Sequence, residues 1–255
     1  MAAMGAGPDR PDLFVQIVGT LEQCFDLEDG ACRRDQQEFR AGPSAAAIRI
    51  VQRRFLERGI RLHVDGGPHF VMNPETGERW GIRSRIGRPL FSEALGARNF
   101  NIDVRPLDVA APVLFPELDR RELFRNVAVI LDLKKGIAGW GELGGRWMLY
   151  SPFAMQEWDE SSSRMRVQRL GTFYEAGVLM HELGHSLGLR HGGDVNVNRK
   201  PNYPSVMNYL YGERGIPQAG PEPRTRRVLD YSSGDLDALD ENALPENAPL
   251  TPAWA

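Results

Sequence analysis

The sequence predicts a mixed α/β fold of the α+β type, and three observations carry this prediction. Short runs rich in β-forming residues recur as far as Tyr150, two stretches at 44–58 and 173–188 repeat apolar residues at helical spacing, and Gly and Pro separate the segments. The chain has 255 residues, of which 42% are hydrophobic and 25% are charged. This length and composition are typical of a globular protein with a sizeable core.

The N-terminal segment is expected to be a flexible leader that is followed by a strand. Residues 1–11 contain Gly and Pro, whereas "LFVQIV" at 13–18 is a run of β-forming residues. The sequence "IRLHVD" at 60–65 alternates apolar with polar residues and predicts a further strand, half-buried.

Between these two strands, residues 44–58 carry the signals of a helix. Pro43 and Ser44 supply a start signal and Gly59 supplies a stop signal. The apolar stripe expected to face the core consists of Ile48, Val51 and Phe55.

Two further strands are predicted in the middle of the chain. The continuous apolar run "NVAVILDL" at 126–133 is typical of a strand that is covered on both faces. A glycine-rich stretch at 136–145 leads into "RWMLY" at 146–150, which predicts another strand. Residues 66–125 predict no element.

A second long helix is predicted to begin near Phe173 and to end at Gly188. Thr172 and Glu175 stand at the spacing of a capping box, and glycine tolerates the left-handed conformation that ends helices. The expected buried stripe consists of Phe173, Ala176, Met180, Leu183 and Leu187. Beyond it, residues 217–227 predict a loop and residues 233–243 a short helix.

The end of this second helix carries the sequence "HELGHSLGLRH" at 181–191. On a helix, His181 and His185 project from the same face, so both imidazoles can reach one ion. A catalytic zinc ion takes three protein ligands and keeps its fourth position for water. At average residue frequencies, the five fixed residues of this pattern coincide about once in 10⁵ chains of this length.

His191 can supply the third ligand only if the helix stops before it. Ten helical residues span about 15 Å, which is beyond the reach of a single ion. Gly188 is placed to let the chain turn sharply, because it adopts left-handed conformations without steric penalty.

Glu182 follows the first histidine and points about 100° around the helix from it. A carboxylate there is expected to face the vacant side of the metal and to take a proton from water. Zinc lowers the pKa of a bound water to near 7, so the pair of groups would generate a nucleophile.

His181, Glu182, His185, Gly188 and His191 match the long zinc motif of the metzincin metallopeptidases, which this chain resembles. The segment "PSVMNY" at 204–209 is similar to the metzincin Met-turn, with Met207 sixteen residues after the last histidine. The resemblance is strong over 172–211 and loose over 126–150 and 226–244, and the subfamily stays open because Gly192 follows the motif.

The resemblance implies the roles of two residues and the shape of the fold. Met207 would form an apolar floor beneath the histidines, and Tyr209 would bind zinc or stabilise the oxyanion, as a tyrosine does in astacins and serralysins. The fold would be a single metzincin-like catalytic domain over 12–255. Its upper lobe (12–188) would hold a twisted mixed sheet and two long helices, and its irregular lower lobe (189–255) a C-terminal helix.

The function expected from these residues is that of a zinc endopeptidase acting on protein or peptide substrates. By resemblance, the substrate would bind in extended form along an edge strand contributed by 136–150. Two alternatives stay open: a zinc-stabilised module that binds peptides without cutting them, and a toxin or effector protease with one target.

Other partners and compartments are weighed from composition. The net charge of −3 and the absence of a nucleic-acid motif argue against nucleic acid, and no apolar run is long enough to span a membrane. We expect a monomer. The N-terminus does not look like a signal peptide, so the chain stays inside the cell, is cut from a precursor, or, as we favour, is exported by another route.

The remaining candidate sites are weaker. Calcium could bind "DVNVN" at 194–198, or an acidic run made of Asp235, Asp237, Asp240 and Glu241, although neither has the spacing of a known calcium loop. Cys24 and Cys32 could form a local disulfide. We interpret His63 and His69 as structural or solvated. A solvated face is expected for Arg49, Arg53, Arg54, Arg58, Arg61, Arg79, Arg83, Arg85 and Arg88.

Overall fold

A computed structural model describes the parts of the chain that form the sheet, the two long helices and the segment after them. The described residues are 5–18, 43–65, 118–129, 138–151, 155–159, 164–168, 170–212, 214–218 and 226–232.

The described part of the chain contains three helices and nine strands, and the strands between the second and third helices follow one another directly. The helices are α1 (Ala45–Glu57), α2 (Leu118–Leu123) and α3 (Thr172–Ser186). The strands are β1 (Asp12–Val18), β2 (Arg61–Asp65), β3 (Arg125–Val129), β4 (Gly139–Gly141), β5 (Trp147–Tyr150), β6 (Met155–Asp159), β7 (Arg164–Gln168), β8 (Ile216–Pro217) and β9 (Arg227–Val228).

The main sheet has five strands in the order β2-β1-β3-β5-β4. β1 is parallel to both β2 and β3, and β3 is parallel to β5. β4 is antiparallel to β5 and forms one edge of the sheet. The predicted mixed α/β class and the mixed sheet are therefore confirmed. The strands β6-β7 and β8-β9 form two separate antiparallel ribbons.

The core lies between the sheet and the helices α1 and α3. Val127, Ala128 and Val129 of β3 are all buried, so both faces of the strand are covered, as predicted. The predicted stripe of α1, Ile48, Val51 and Phe55, is buried in the same cluster. α1 also packs against α3, so the two long helices share this core.

The predicted boundaries of α1 are confirmed to within one residue. Ser44 is the N-cap, and its hydroxyl accepts a hydrogen bond from the amide of Ala47 at 3.1 Å. At the other end Gly59 has a φ of 77°, which glycine adopts freely.

The prediction of a half-buried second strand was wrong, because every residue of β2 is buried. Its polar side chains have partners from other parts of the chain. Asp12 accepts hydrogen bonds from Arg61 Nε at 2.9 Å and lies 2.6 Å from His63 Nε2, and Arg120 pairs with Asp65. Burial of these polar groups is tolerated because their partners replace water.

The structure also bears on two predictions about basic residues, His63 and the arginine face. His63 is structural, as interpreted, since its ring stacks on Phe14 with the centroids 4.5 Å apart. The solvated face is confirmed for Arg49 and Arg53 but was wrong for Arg61, which is buried and also donates to Gly7 O at 2.9 Å.

Asp230 forms ion pairs with two more arginines of the predicted face. Its carboxylate pairs with Arg58, and Arg54 lies 3.5 Å away. This contact joins α1 to the segment that follows β9.

The predicted capping box at the start of α3 was wrong. Gly171 is the N-cap and no side chain caps the helix. Glu175 is buried and instead accepts a hydrogen bond from the amide of Ser44 at 2.8 Å. The glutamate therefore serves the first turn of α1 and ties the two long helices together.

The buried stripe of α3 is confirmed except at its end. Ala176, Met180 and Leu183 are buried and Phe173 packs against the core. Leu187 is 41% exposed, because the helix ends at Ser186 and the chain turns away from the core.

Several predictions fall partly or wholly outside the described residues. Pro217 and Arg227 belong to the β8-β9 ribbon, so the predicted loop at 217–227 was too long at both ends. The predicted helix at 233–243, the two cysteines, His69, residues 130–133 and the arginines at 79–88 lie outside the description. Among the described helices, none has both the length and the apolar character that crossing a membrane requires.

The contact between Glu175 and Ser44 should stabilise the fold measurably. Glu175→Ala leaves a part-buried amide without its acceptor, so we expect the free energy of unfolding to fall by about 2–3 kcal/mol. Glu57→Ala is the control, since that side chain is 49% exposed and its loss should change stability by less than about 0.5 kcal/mol. Equal effects in chemical denaturation of the two variants would contradict this role for Glu175.

Candidate metal centre

The three predicted ligands, His181, His185 and His191, converge on one point. Their ligand atoms all lie within 4.8 Å of one another. The ring centroids are 4.8 Å apart for the first two histidines, and His191 lies 5.4 Å from the first ring and 4.8 Å from the second. The three imidazoles are therefore close enough to bind one metal ion.

A reversal of the chain at Gly188 brings the third histidine back to the other two. Gly188 has a φ of 96°, and its amide donates to His185 O at 2.9 Å. The amide of Leu189 reaches back to Gly184 O at 2.9 Å, which completes the Schellman pattern of a helix end. The predicted turn at Gly188 is confirmed.

Each histidine is oriented by a hydrogen bond from Nδ1, the ring nitrogen that is not expected to bind the metal. Nδ1 lies 2.8 Å from Val206 O in His181, 2.8 Å from Leu189 O in His185 and 3.0 Å from Asn196 Oδ1 in His191. An amide oxygen only accepts hydrogen bonds, so each Nδ1 carries the proton. Each Nε2 then keeps its lone pair, as a metal ligand must.

Burial keeps the histidines neutral. Removal from water lowers the pKa of His181 to about 3, and the two neighbouring imidazoles act in the same direction. Burial is also the main cause that lowers the pKa of His185 and of His191. All three therefore offer uncharged nitrogen at neutral pH, which removes competition between protons and a metal ion.

Glu182 is buried against the edge strand β4. A Cβ atom added to Gly139 would lie 2.6 Å from both Cγ and Oε1 of Glu182, and one added to Gly141 would lie 2.5 Å from its carbonyl oxygen. Only glycine allows β4 this close to α3. In the metal-free chain, burial raises the pKa of Glu182 to about 8.

Residues 204–209, here called the Met207 turn, also pack against the ligand-bearing helix. Met207 is fully buried, and a Cβ at Gly184 would overlap its sulfur and lie 2.8 Å from Tyr231 Cε1. The hydroxyl of Tyr231 donates to Met180 O at 2.6 Å. The methionine thus lies against α3 at Gly184, the residue before the second histidine.

The Met207 turn is hydrogen-bonded to the segment that follows β9. Val206, whose carbonyl orients His181, donates its amide to Asp230 O at 2.8 Å. The backbone pairing of Val206 therefore links the first ligand to the residue that Arg58 holds.

Tyr209 lies over the histidines on the solvent side. Its ring centroid is 4.6 Å from that of His191 and 5.6 Å from that of His181, and the residue is 56% exposed. The ring of Tyr209 thus lies next to two of the three histidines.

The site also contains residues that sequence reasoning missed or assigned elsewhere. Gly139, Gly141 and Gly184 were not singled out, because only the tertiary neighbour shows why a side chain is excluded there. Asn196, which belongs to the candidate calcium segment, accepts a hydrogen bond from His191 Nδ1. Among the described residues, the three histidines are the only group of three or more His, Cys, Asp and Glu side chains placed to hold a metal ion.

Comparison with known proteins adds no assignment to this geometry: no model of a protein family matches the chain, and no curated protein matches its sequence.

The absence of a side chain at residue 184 is expected to be essential for packing. Gly184→Ala forces a methyl group into Met207 and Tyr231, so we expect the melting temperature to fall, with a loss of about 1–3 kcal/mol in the free energy of unfolding. Gly171→Ser on the same helix is the control, because no atom lies within 4 Å of the position of its Cβ. A Gly184→Ala variant as stable as this control would contradict the packing described.

The buried carboxyl of Glu182 should make the metal-free protein less stable as the pH rises. Its pKa is 4.5 when unperturbed and about 8 in the fold, so between these values the folded state binds more protons than the unfolded state. The free energy of unfolding then falls as the pH rises through this window.

Thermal melting in the presence of a chelator tests this pH dependence. Gln cannot ionise, so metal-free Glu182→Gln should melt above the wild-type protein at about pH 8, and the difference should shrink toward about pH 5. Glu182 is not among the groups that shift the pKa of His181, so the contribution of this histidine should cancel in the difference. A difference that stays constant across this range would contradict burial of the carboxyl.

Proposed function

We propose that the protein is a zinc-dependent endopeptidase in which His181, His185 and His191 hold the metal and Glu182 is the general base. One observation carries the proposal: three neutral imidazoles present Nε2 to a common point, and a buried carboxyl follows the first of them on the same helix. Imidazole nitrogen suits zinc, and three protein ligands are typical of its catalytic sites.

The donor set fits a catalytic ion better than a structural one. Structural zinc sites are closed by four protein ligands, whereas the described residues bring only three to this point. When bound, zinc would supply a Lewis acid that polarises the scissile carbonyl and lowers the pKa of water.

Glu182 is placed to move the proton. Its carboxylate would take a proton from the attacking water at Oε1 or Oε2 and deliver it to the nitrogen of the leaving amine. Burial against β4 makes this carboxylate more basic than an exposed one, and the positive charge of a bound zinc ion would favour its ionised form before it takes the proton.

The edge strand β4 offers the substrate a place to bind. Gly139–Gly141 lies at the border of the five-stranded sheet and directly against Glu182. An extended peptide that pairs with this edge would run past the carboxyl, with its backbone hydrogen-bonded to β4. Such binding favours cleavage within a chain, which is the reason for proposing an endopeptidase.

Tyr209 would assist from the solvent side. Its ring packs on His191, and its phenol would donate a hydrogen bond to the oxyanion of the tetrahedral intermediate. The exposure of Tyr209 leaves its ring room to adjust when a substrate binds.

The resemblance to metzincins supports the same proposal. The motif from His181 to His191 and the turn at Met207 match that family, and the mixed sheet with α1 and α3 agrees with the expected upper lobe. We propose the metzincin fold for the whole domain on this basis, with the lower lobe beginning after Gly188.

Cleavage of a mixed peptide library tests the function. The purified protein loaded with zinc should cut peptides, a chelator should stop cleavage, and added zinc should restore it. Glu182→Ala should retain zinc but lose activity by about 10²–10⁴-fold or more, because it removes the base and not a ligand. Tyr209→Phe should lower turnover by about 10²-fold, if its phenol acts as a single oxyanion donor does.

Controls separate the alternatives. Glu57→Ala, which changes an exposed glutamate far from the histidines in sequence, should cut as the wild type does. Tight peptide binding by a zinc-loaded protein that releases no products would replace the peptidase with a binding module. Zinc-dependent cleavage that survives Glu182→Ala would refute the role of the base.

A further inference from the structure

A short loop after the third histidine is built into the site by its own hydrogen bonds. This loop, residues 192–200, is called here the asparagine loop. Its base is closed by Arg190 N to Gly193 O at 2.8 Å and by Gly192 N to Val195 O at 2.9 Å. Lys200 Nζ reaches back to Gly192 O at 3.2 Å, so the two ends of the loop are joined.

Asn196 gives His191 a kind of support that the other two histidines lack. His181 is oriented by a backbone carbonyl of the buried Met207 turn, and His185 by one at the end of α3. His191 is oriented by a side chain, Asn196 Oδ1, at 3.0 Å. The orientation of the third ligand thus depends on one replaceable group on a surface loop.

Asn198 fastens the same loop to Tyr209. Its Oδ1 accepts hydrogen bonds from the amide of Tyr209 at 3.0 Å and from the amide of Arg199 at 2.8 Å. Asn208, on the Met207 turn, also donates from Nδ2 to Lys200 O at 2.6 Å. The far end of the loop is therefore tied to the turn that carries the tyrosine.

The backbone between these attachments is strained. Arg199 has a φ of 58° and is the one non-glycine residue with positive φ in the described part of the chain. A residue with a Cβ occupies this region at a cost and persists there only where the surroundings fix it. The hydrogen bonds of Asn198 and Asn208 on either side of Arg199 supply that constraint.

We propose that Asn196 and Asn198 are positioning residues which hold the third metal ligand and Tyr209 as one unit, so that the affinity for zinc depends on the asparagine loop. Asn196 fixes the ring orientation and the Nδ1-protonated tautomer of His191. Asn198 keeps the loop in the conformation that places Asn196, and it joins that conformation to the backbone of Tyr209. The inference rests on the proposed metal centre and not on peptide cleavage.

The physical reason is the cost of leaving His191 unconstrained. Without its acceptor the ring can rotate, and the proton can move to Nε2, where it would block binding. Loss of the group that orients a ligating histidine weakens metal binding by about 10–100-fold in other sites. An acceptor of the same length should preserve the orientation.

The test is a competition between the full-length protein and a chelator for zinc alone. We expect Asn196→Ala to weaken zinc binding by about 10-fold or more. Asn196→Asp keeps an oxygen acceptor at the same place, so it should bind within about threefold of the wild type or more tightly. Asn202→Ala is the matched control for loss of an asparagine, because Asn202 lies just after the loop and takes part in none of these hydrogen bonds, and it should leave the affinity unchanged.

Asn198 is tested by a double-mutant cycle. If it acts through Asn196, Asn198→Ala alone should weaken zinc binding, and adding it to Asn196→Ala should weaken binding no further. The melting temperature of each metal-free variant is measured beside the affinity. A metal-free melting temperature close to that of the wild type shows that the change lies in the site and not in the fold.

The outcomes separate this inference from the proposed function. Unchanged zinc affinity in Asn196→Ala, or a loss of affinity that Asn196→Asp does not restore, would overturn the role of Asn196. Additive losses in the cycle would overturn the coupling through Asn198. A wild-type protein that does not bind zinc would overturn the metal centre as well, whereas a protein that binds zinc but cuts no peptide would leave the positioning role intact.

Discussion

The geometry of the site depends on one backbone constraint, the reversal of the chain at Gly188. Two ligands follow from the helix itself, but a third at residue 191 would lie about 15 Å from the first if the helix continued. The positive φ of Gly188 and the two amides that reach back to α3 end the helix within one turn. Because the chain leaves in this direction, the asparagine loop and the Met207 turn can both reach the histidines.

Close packing of backbone against α3 then determines the electrostatics of the site. Three glycines, Gly139, Gly141 and Gly184, let β4 and the Met207 turn approach the helix where any larger residue would collide. This approach excludes water from Glu182 and His181. The exclusion raises the pKa of Glu182 and lowers the pKa of His181, so each favours its neutral form. Packing and proton chemistry therefore have the same structural cause.

The sequence predicts what depends on neighbours along the chain and misses what depends on distant ones. The start of α1, the turn at Gly188 and the convergence of the histidines follow from local spacing. The full burial of β2 does not, because its partners Asp12 and Arg120 are remote in sequence. Glu175 looked like a local cap, yet its partner Ser44 is 131 residues away.

The link from His181 through Val206 to Asp230 also has a consequence for how the site comes into being. A chain that has emerged from the ribosome only as far as residue 191 already carries all three histidines. It lacks the carbonyl that orients the first of them, the methionine that packs beneath the helix, and the segment that holds both in place. The site as the structure shows it therefore needs the chain as far as Asp230, so the histidines leave the ribosome before the contacts that orient the first of them are available.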